Sequence, residues 1–154
     1  MLSGVPGSES VVAEGPEAGK KITDIYPGTF PLKGADRMRS FIQEVLGYKW
    51  VTNFGDVTGI IVPKPGAAVQ LSDPMKYNRL FDERYYRVEN PDGIEPAGAK
   101  AQTFLRYAGT DIPAATVFDD GTHRVVACGF PLEALTTEGA LESVLLTSMG
   151  FLVR

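Results

Sequence analysis

Apolar positions recur along the chain with two different periods, and the change from one to the other predicts the order of its elements. Between Ala35 and Leu46, the residues Met38, Phe41, Ile42, Val45 and Leu46 fall at i, i+3, i+4, i+7 and i+8. That is the stripe of a helix packed on one face, with Arg37, Arg39, Gln43 and Glu44 turned outward. Gly47 stands where such a helix stops. Tyr48, Trp50 and Val51 follow as a short strand or docking segment. Val57 to Val62 reads as a strand, with Ile60-Ile61-Val62 dense enough to be covered on both faces, and Pro63-Lys64-Pro65-Gly66 ends it.

Residues 73 to 100 are polar and punctuated by Pro and Gly, with one strand-like run at Arg84 to Val88. From Ala101 the alternation becomes regular. Gln102 to Tyr107, Ala114 to Asp119 and Thr122 to Cys128 are three strands, the last two joined through Asp120-Gly121, a type I′ hairpin signal. A final helix is expected from Glu138 to Leu152, its stripe formed by Leu141, Val144, Leu145, Met149 and Leu152. Two amphipathic helices and four to six strands predict a layered α/β domain. The terminal hairpin makes its sheet at least partly antiparallel, hence mixed.

Composition narrows this further. Met1 to Lys20 is rich in Gly, Ser, Pro and Glu and buries too little apolar surface to offset its ordering, so it reads as a flexible tail or linker before a single α/β domain at 21–154; Val11-Val12 is its one short strand candidate. The 154 residues are 44% hydrophobic and 22% charged, the balance of a soluble globular protein. No apolar run approaches the roughly 20 residues of a membrane-spanning helix, so membrane insertion is not expected. One Cys and one His exclude disulfide frameworks, multi-cysteine metal sites and paired-histidine sites, and no metal is expected.

The net charge of −4 lies in residues 78–154, which argues against nucleic acid as a partner. Neither a G-x-G-x-x-G nor a P-loop pattern occurs, and no cofactor is implied. The start at Met1 lacks the basic opening and apolar core of a secretion signal. The compartment is therefore unmarked: periplasmic or extracellular if a signal has been removed, otherwise cytoplasmic.

Few side chains offer chemistry. Cys128, at the end of a strand, is the candidate nucleophile. Its only histidine partner, His123, lies five residues earlier on the same strand, roughly 16 Å away and on the opposite face. A Cys128–His123 dyad is therefore not expected, and Cys128 reads first as a small core residue. His123 is expected at the exposed rim of the hairpin. Asp119, Asp120 and Gly121 lack the further oxygen ligands of a calcium loop and read as a turn.

Gly129-Phe130-Pro131-Leu132-Glu133 takes the chain from strand into a helical turn, with Phe130 buried and Glu133 near free backbone N–H groups, as a cap or a ligand contact. Arg84, Tyr85 and Tyr86 interleave basic and aromatic side chains, a weak ligand-binding pattern for carbohydrate or protein that Asp82 and Glu83 interrupt.

Phe104 to Thr110, Pro113-Ala114-Ala115 and Arg124 to Glu133, with Phe41 to Tyr48 and Gly59 before them, resemble the C-terminal part of class I glutamine-amidotransferase-like (ThuA-like, flavodoxin-like) domains. The resemblance is to those in bacterial xanthan-lyase-type and other glycan-associated proteins. It covers about residues 35–154 as a pattern of hydrophobics and turns. It implies a three-layer α/β sandwich with a C-terminal β-hairpin and helix. It implies no active site, because the family's elbow cysteine and partnered histidine find no match here. It also implies more α/β units before Ala35, so the chain is expected to be the C-terminal part of a larger polypeptide or a reduced version.

The expected function is a non-catalytic accessory or interaction module of a glycan-associated bacterial protein, whose partner is another protein, the remainder of a larger polypeptide, or carbohydrate. Two alternatives stand beside it. One is a hydrolase or amidotransferase-like enzyme using Cys128 or Glu133 with groups from a partner. The other is a self-associating structural subunit.

Overall fold

Extended runs joined without intervening α-helices follow one another from Tyr48 to Cys128, and in the computed structural model, which describes residues 38–154, they build antiparallel sheet. The expected tail at 1–20, with Val11-Val12, and the start of the first helix at 35–37 lie outside the described residues. Phe41–Arg154 pack as one unit around a single core. The strands of this unit are β1 (Tyr48–Thr52), β2 (Ile60–Pro63), β3 (Met75–Lys76), β4 (Gly93–Pro96), β5 (Ala101–Tyr107), β6 (Pro113–Asp119) and β7 (Arg124–Cys128). One α-helix, α1 (Ala140–Leu152), closes the chain.

The three-layer α/β sandwich with a mixed sheet is not what forms. β1 and β4 make a two-stranded sheet, and the other five strands make a second, curled into a half-barrel in the order β3-β2-β5-β6-β7. Every pairing is antiparallel. The reason is in the connections. Helix-covered sheets need crossover helices between parallel strands, and no α-helix lies between β1 and β7. The β6–β7 hairpin and the C-terminal helix are present as the sequence suggests.

Other expectations shift locally. The first helix reaches into the unit only as a π turn over Phe41–Val45, where the Leu46 N–H donates to the Phe41 carbonyl, and Phe41 and Val45 are exposed rather than packed. Arg84 to Val88 forms no strand. The hairpin turn sits one residue later than the Asp-Gly signal places it. Asp120 N–H meets the His123 carbonyl, so Gly121 and Thr122 are the central pair, with positive φ at Gly121 alone, the pattern of a type II′ turn. The Asp120 carboxylate accepts the N–H groups of Thr122 and His123 and the Thr122 hydroxyl, which fixes Asp120 outside the turn centre. Those bonds hold its carboxyl far below the usual range.

The core lies inside the curl. Ile61, Phe104, Leu105, Ala114, Ala115 and Val117 line it, and Tyr77, Tyr107 and Phe130 meet there. Tyr77 stacks on Phe130 at 6.4 Å, and Tyr107 stands edge-on to both. Helix α1 adds Ala140, Val144, Ser148 and Phe151. Of the stripe read from the sequence only Val144 is buried: Leu141, Leu145, Met149 and Leu152 face outward, with Leu146.

The two ends of the five-stranded sheet differ. After β7 the chain passes through a 3₁₀ turn (Leu132–Ala134) to the far end, where Leu135 bridges Tyr77. There the Thr136 N–H donates to the Lys76 carbonyl at 2.8 Å, and the Lys76 N–H donates to Thr137 Oγ1 at 2.8 Å. The outer edge of β3 is thereby covered. At β7 no further strand pairs among the described residues.

Candidate functional site

The corner after β7 builds the main concavity. Gly129 approaches the chain so closely that a Cβ there would lie 2.0 Å from the Asp92 carbonyl oxygen, and the Asp92 N–H donates to the Gly129 carbonyl at 2.7 Å. Only glycine permits that contact. It pins residues 86–92 beside 128–131 and leaves an open groove of about 810 Å³ between them. Tyr86, Asn90, Asp92, Cys128, Pro131 and Glu133 are among its walls.

Three of the residues singled out in the sequence therefore meet in one place: Cys128, Glu133 and Tyr86. Tyr86 is 63% exposed and offers a ring at the rim. Glu133 is exposed on the 3₁₀ turn, where no side-chain cap forms and the turn's own carbonyls take the N–H groups of Ala134 and Leu135. Cys128 packs against the core with part of its surface at the groove, and burial pushes its thiol up to about 11. It is protonated at neutral pH. His123 is at the other end of β7, half-buried and tilted against Phe118, and its Nε2 donates to the Val45 carbonyl at 2.7 Å. It ties the hairpin to the π turn rather than standing free at the rim.

Arg84 and Tyr85 do not line the groove. Arg84 bonds Asp82 through Nε at 3.2 Å and Nη2 at 3.1 Å, and its guanidinium lies 5.6 Å from the centre of the Tyr85 ring. The loop carrying them is organised by Asn78, whose amide donates to the carbonyls of Leu80, Tyr85 and Tyr86 while its own oxygen accepts the Leu80 N–H. Leu80 and Phe81 are exposed at its tip. Within the groove wall, Arg87 pairs with Glu89 at 3.2 Å. Asp92 and Glu133 leave the walls acidic on balance.

Two features beside the groove carry no motif. The first is Trp50, the chain's single tryptophan, whose indole N–H donates to Asp92 Oδ1 at 3.3 Å and to Asn53 Oδ1 at 3.2 Å. The second is Asp56, 2% exposed, which accepts the N–H groups of Thr58 and Gly59, the Thr58 hydroxyl and the Tyr77 hydroxyl. Burial opposes the Asp56 charge, but these bonds outweigh it and hold the carboxyl below its ordinary value. Burial and the Asp56 partner push the Tyr77 phenol far up. Fully bonded and closed off from the groove, Asp56 is a structural anchor. An Asp-x-Thr-Gly turn is its only sequence signal, and that signal does not say the turn is buried.

Among the described residues no group of three or more His, Cys, Asp or Glu could hold a metal ion, and no helix is long and apolar enough to cross a membrane. Compared with family models, curated proteins and solved structures, the chain matches none of them.

Proposed function

We propose that this domain is a non-catalytic binding module and that the groove between residues 86–92 and 128–133 takes its ligand. One observation carries the reading: the groove's sole thiol, Cys128, is held protonated by burial and has no histidine partner, since the one histidine is engaged at the opposite end of β7. What remains is recognition chemistry. Tyr86 offers a ring face, and Asn90, Asp92 and Glu133 offer acceptors for hydroxyl donors, a combination suited to an extended, polar ligand such as a polysaccharide segment.

Trp50 supplies the assay, because its indole is bonded to a groove-lining carboxylate. Soluble acidic and neutral oligosaccharides titrated into the protein should change its tryptophan emission saturably. Tyr86→Ala should weaken that binding about tenfold while the unfolding transition stays in place. A flat titration across the panel would end the polysaccharide reading. Rapid stoichiometric labelling of Cys128 in the native protein at neutral pH would overturn the non-catalytic one.

A further inference from the structure

We infer that two copies of this chain join edge to edge through β7, about a two-fold axis at Val126, with the outward apolar faces of their α1 helices meeting beside the joined strands. This goes beyond the ligand groove and does not depend on it. The first support is the direction of the backbone groups. The Gly129 N–H donates to the Ala114 carbonyl and the Asp120 N–H to the His123 carbonyl, so the odd-numbered residues of this strand bond to β6. By alternation, the N–H and C=O groups of Arg124, Val126 and Cys128 point away from it. No hydrogen bond among the described residues takes them up. All five residues of β7 keep part of their surface in solvent, whereas the middle five of β6 are buried.

That outward set is its own complement. In an antiparallel pair centred on Val126, Val126 stands opposite its own copy and Arg124 opposite Cys128, and every outward donor meets an outward acceptor. Exposed edges are ordinarily blunted by charge, proline or a bulge. Strand β1 has Lys49 and a register break between Trp50 and Thr52. The outer edge of β3 is covered by Thr136 and Thr137. Val125 to Cys128 has neither charge nor proline, and its register with β6 is unbroken.

The second support is the helix. α1 packs against β7, with the Arg124 guanidinium 5.9 Å from the centre of the Phe151 ring. Its free side shows Leu141, Leu145, Leu146, Met149 and Leu152, of which Leu146 and Met149 are 63% and 59% exposed. Glu142 is the only charged residue in the helix. Five large apolar side chains on the solvent side of one helix form a contiguous patch of the kind that marks a contact surface. A strand from some other protein could satisfy the β7 edge but would leave this face bare. A second copy brings the same leucine- and methionine-rich face, with Glu142 one turn before Leu146, and so makes the contact isologous.

The full-length chain should therefore have twice the monomer mass by light scattering coupled to size exclusion. In a Cys128→Ser background, Val126→Cys should give a disulfide-linked dimer on mild oxidation, because paired Cα atoms about 5.5 Å apart lie within disulfide range. Val125→Cys, displaced from the axis, should not. Leu146→Glu with Met149→Glu should halve the mass while the far-UV spectrum and cooperative unfolding persist. A wild-type monomer overturns the inference, as does a dimer indifferent to the helix variant or one cross-linked equally from positions 125 and 126. A monomer that loses cooperative unfolding with the helix variant also overturns it, since the helix face would then be covered within one chain.

Discussion

The Asp56 anchor and the groove are both built around a carboxylate near the tyrosine cluster, and they differ in what their polar groups are bonded to. At the anchor, every donor around Asp56 belongs to the protein, and the network is closed: Thr58, Gly59 and Tyr77 converge on a carboxylate 2% exposed. At the groove, the backbone is fixed by the Gly129–Asp92 contact, but the side chains of Asn90 and Glu133 face open space. Tyr107 connects the two, its ring against Tyr77 and its hydroxyl donating to the Asp92 carbonyl at 2.9 Å. Buried polar groups stabilise a fold when fully bonded. Unbonded ones at a surface are available to a ligand.

The strongest way to break that contrast is Asp56→Ala. It strands the Gly59 N–H and the Tyr77 hydroxyl in the core, and the expected loss is roughly 3–5 kcal/mol in denaturant unfolding. An effect under about 1 kcal/mol would show that water replaces the carboxylate and that the anchor is not closed. Gly129→Ala comes next, at roughly 1–3 kcal/mol, because its Cβ cannot coexist with the Asp92 carbonyl. Unlike the anchor mutation, it should also shift Trp50 emission, since the 86–92 wall must move.

Acid provides a milder test. The folded Asp56 carboxyl is held below its unfolded value, so its contribution is fully present above about pH 4 and is lost as pH falls through the lower folded value. Stability should therefore decline below about pH 4 in the parent and less steeply in Asp56→Asn. Equal slopes would assign the acid response to other carboxylates. The smallest effect is expected at the surface pair. Arg84→Ala should change stability by less than about 0.5 kcal/mol, because its bond to Asp82 is solvent-exposed, and should leave Trp50 emission unchanged, which distinguishes it from the groove residues.

Legibility in the sequence follows local patterning. Strands β5, β6 and β7 are readable because their alternation is regular and their turns carry Gly, Pro and Asp. β3 and β4 are not, since strands of two and four residues among prolines hold too little pattern to register. Of the candidate site, Cys128 and Glu133 can be singled out by residue type, and Tyr86 by its neighbours. Asp92 and Asn90 cannot, being brought to Gly129 only across about forty residues of intervening chain.

Helix α1 shows why pattern alone can choose the wrong face. Amphipathicity points a helix inward by contrast with its polar side, and with one charge among thirteen residues there is no polar side to exclude. The structure keeps Val144 from the predicted stripe but buries it with Ala140, Ser148 and Phe151, leaving Ser148 Oγ without a hydrogen-bond partner among the described residues. The same limit applies to fold class. A set of strands and helices is compatible with both a helix-covered sheet and a curled one, because layer order depends on which strands pair and not on where they lie in the chain.

By itself, the sequence determined the extended C-terminal half, its hairpin, the closing helix and the separation of His123 from Cys128, all consequences of residue type and short-range spacing. Tertiary structure decided the antiparallel half-barrel, the burial of Asp56, the groove around Gly129 and the open edge at β7. Each of those depends on contacts between segments far apart in the chain, and no local propensity encodes which distant backbone a donor will meet.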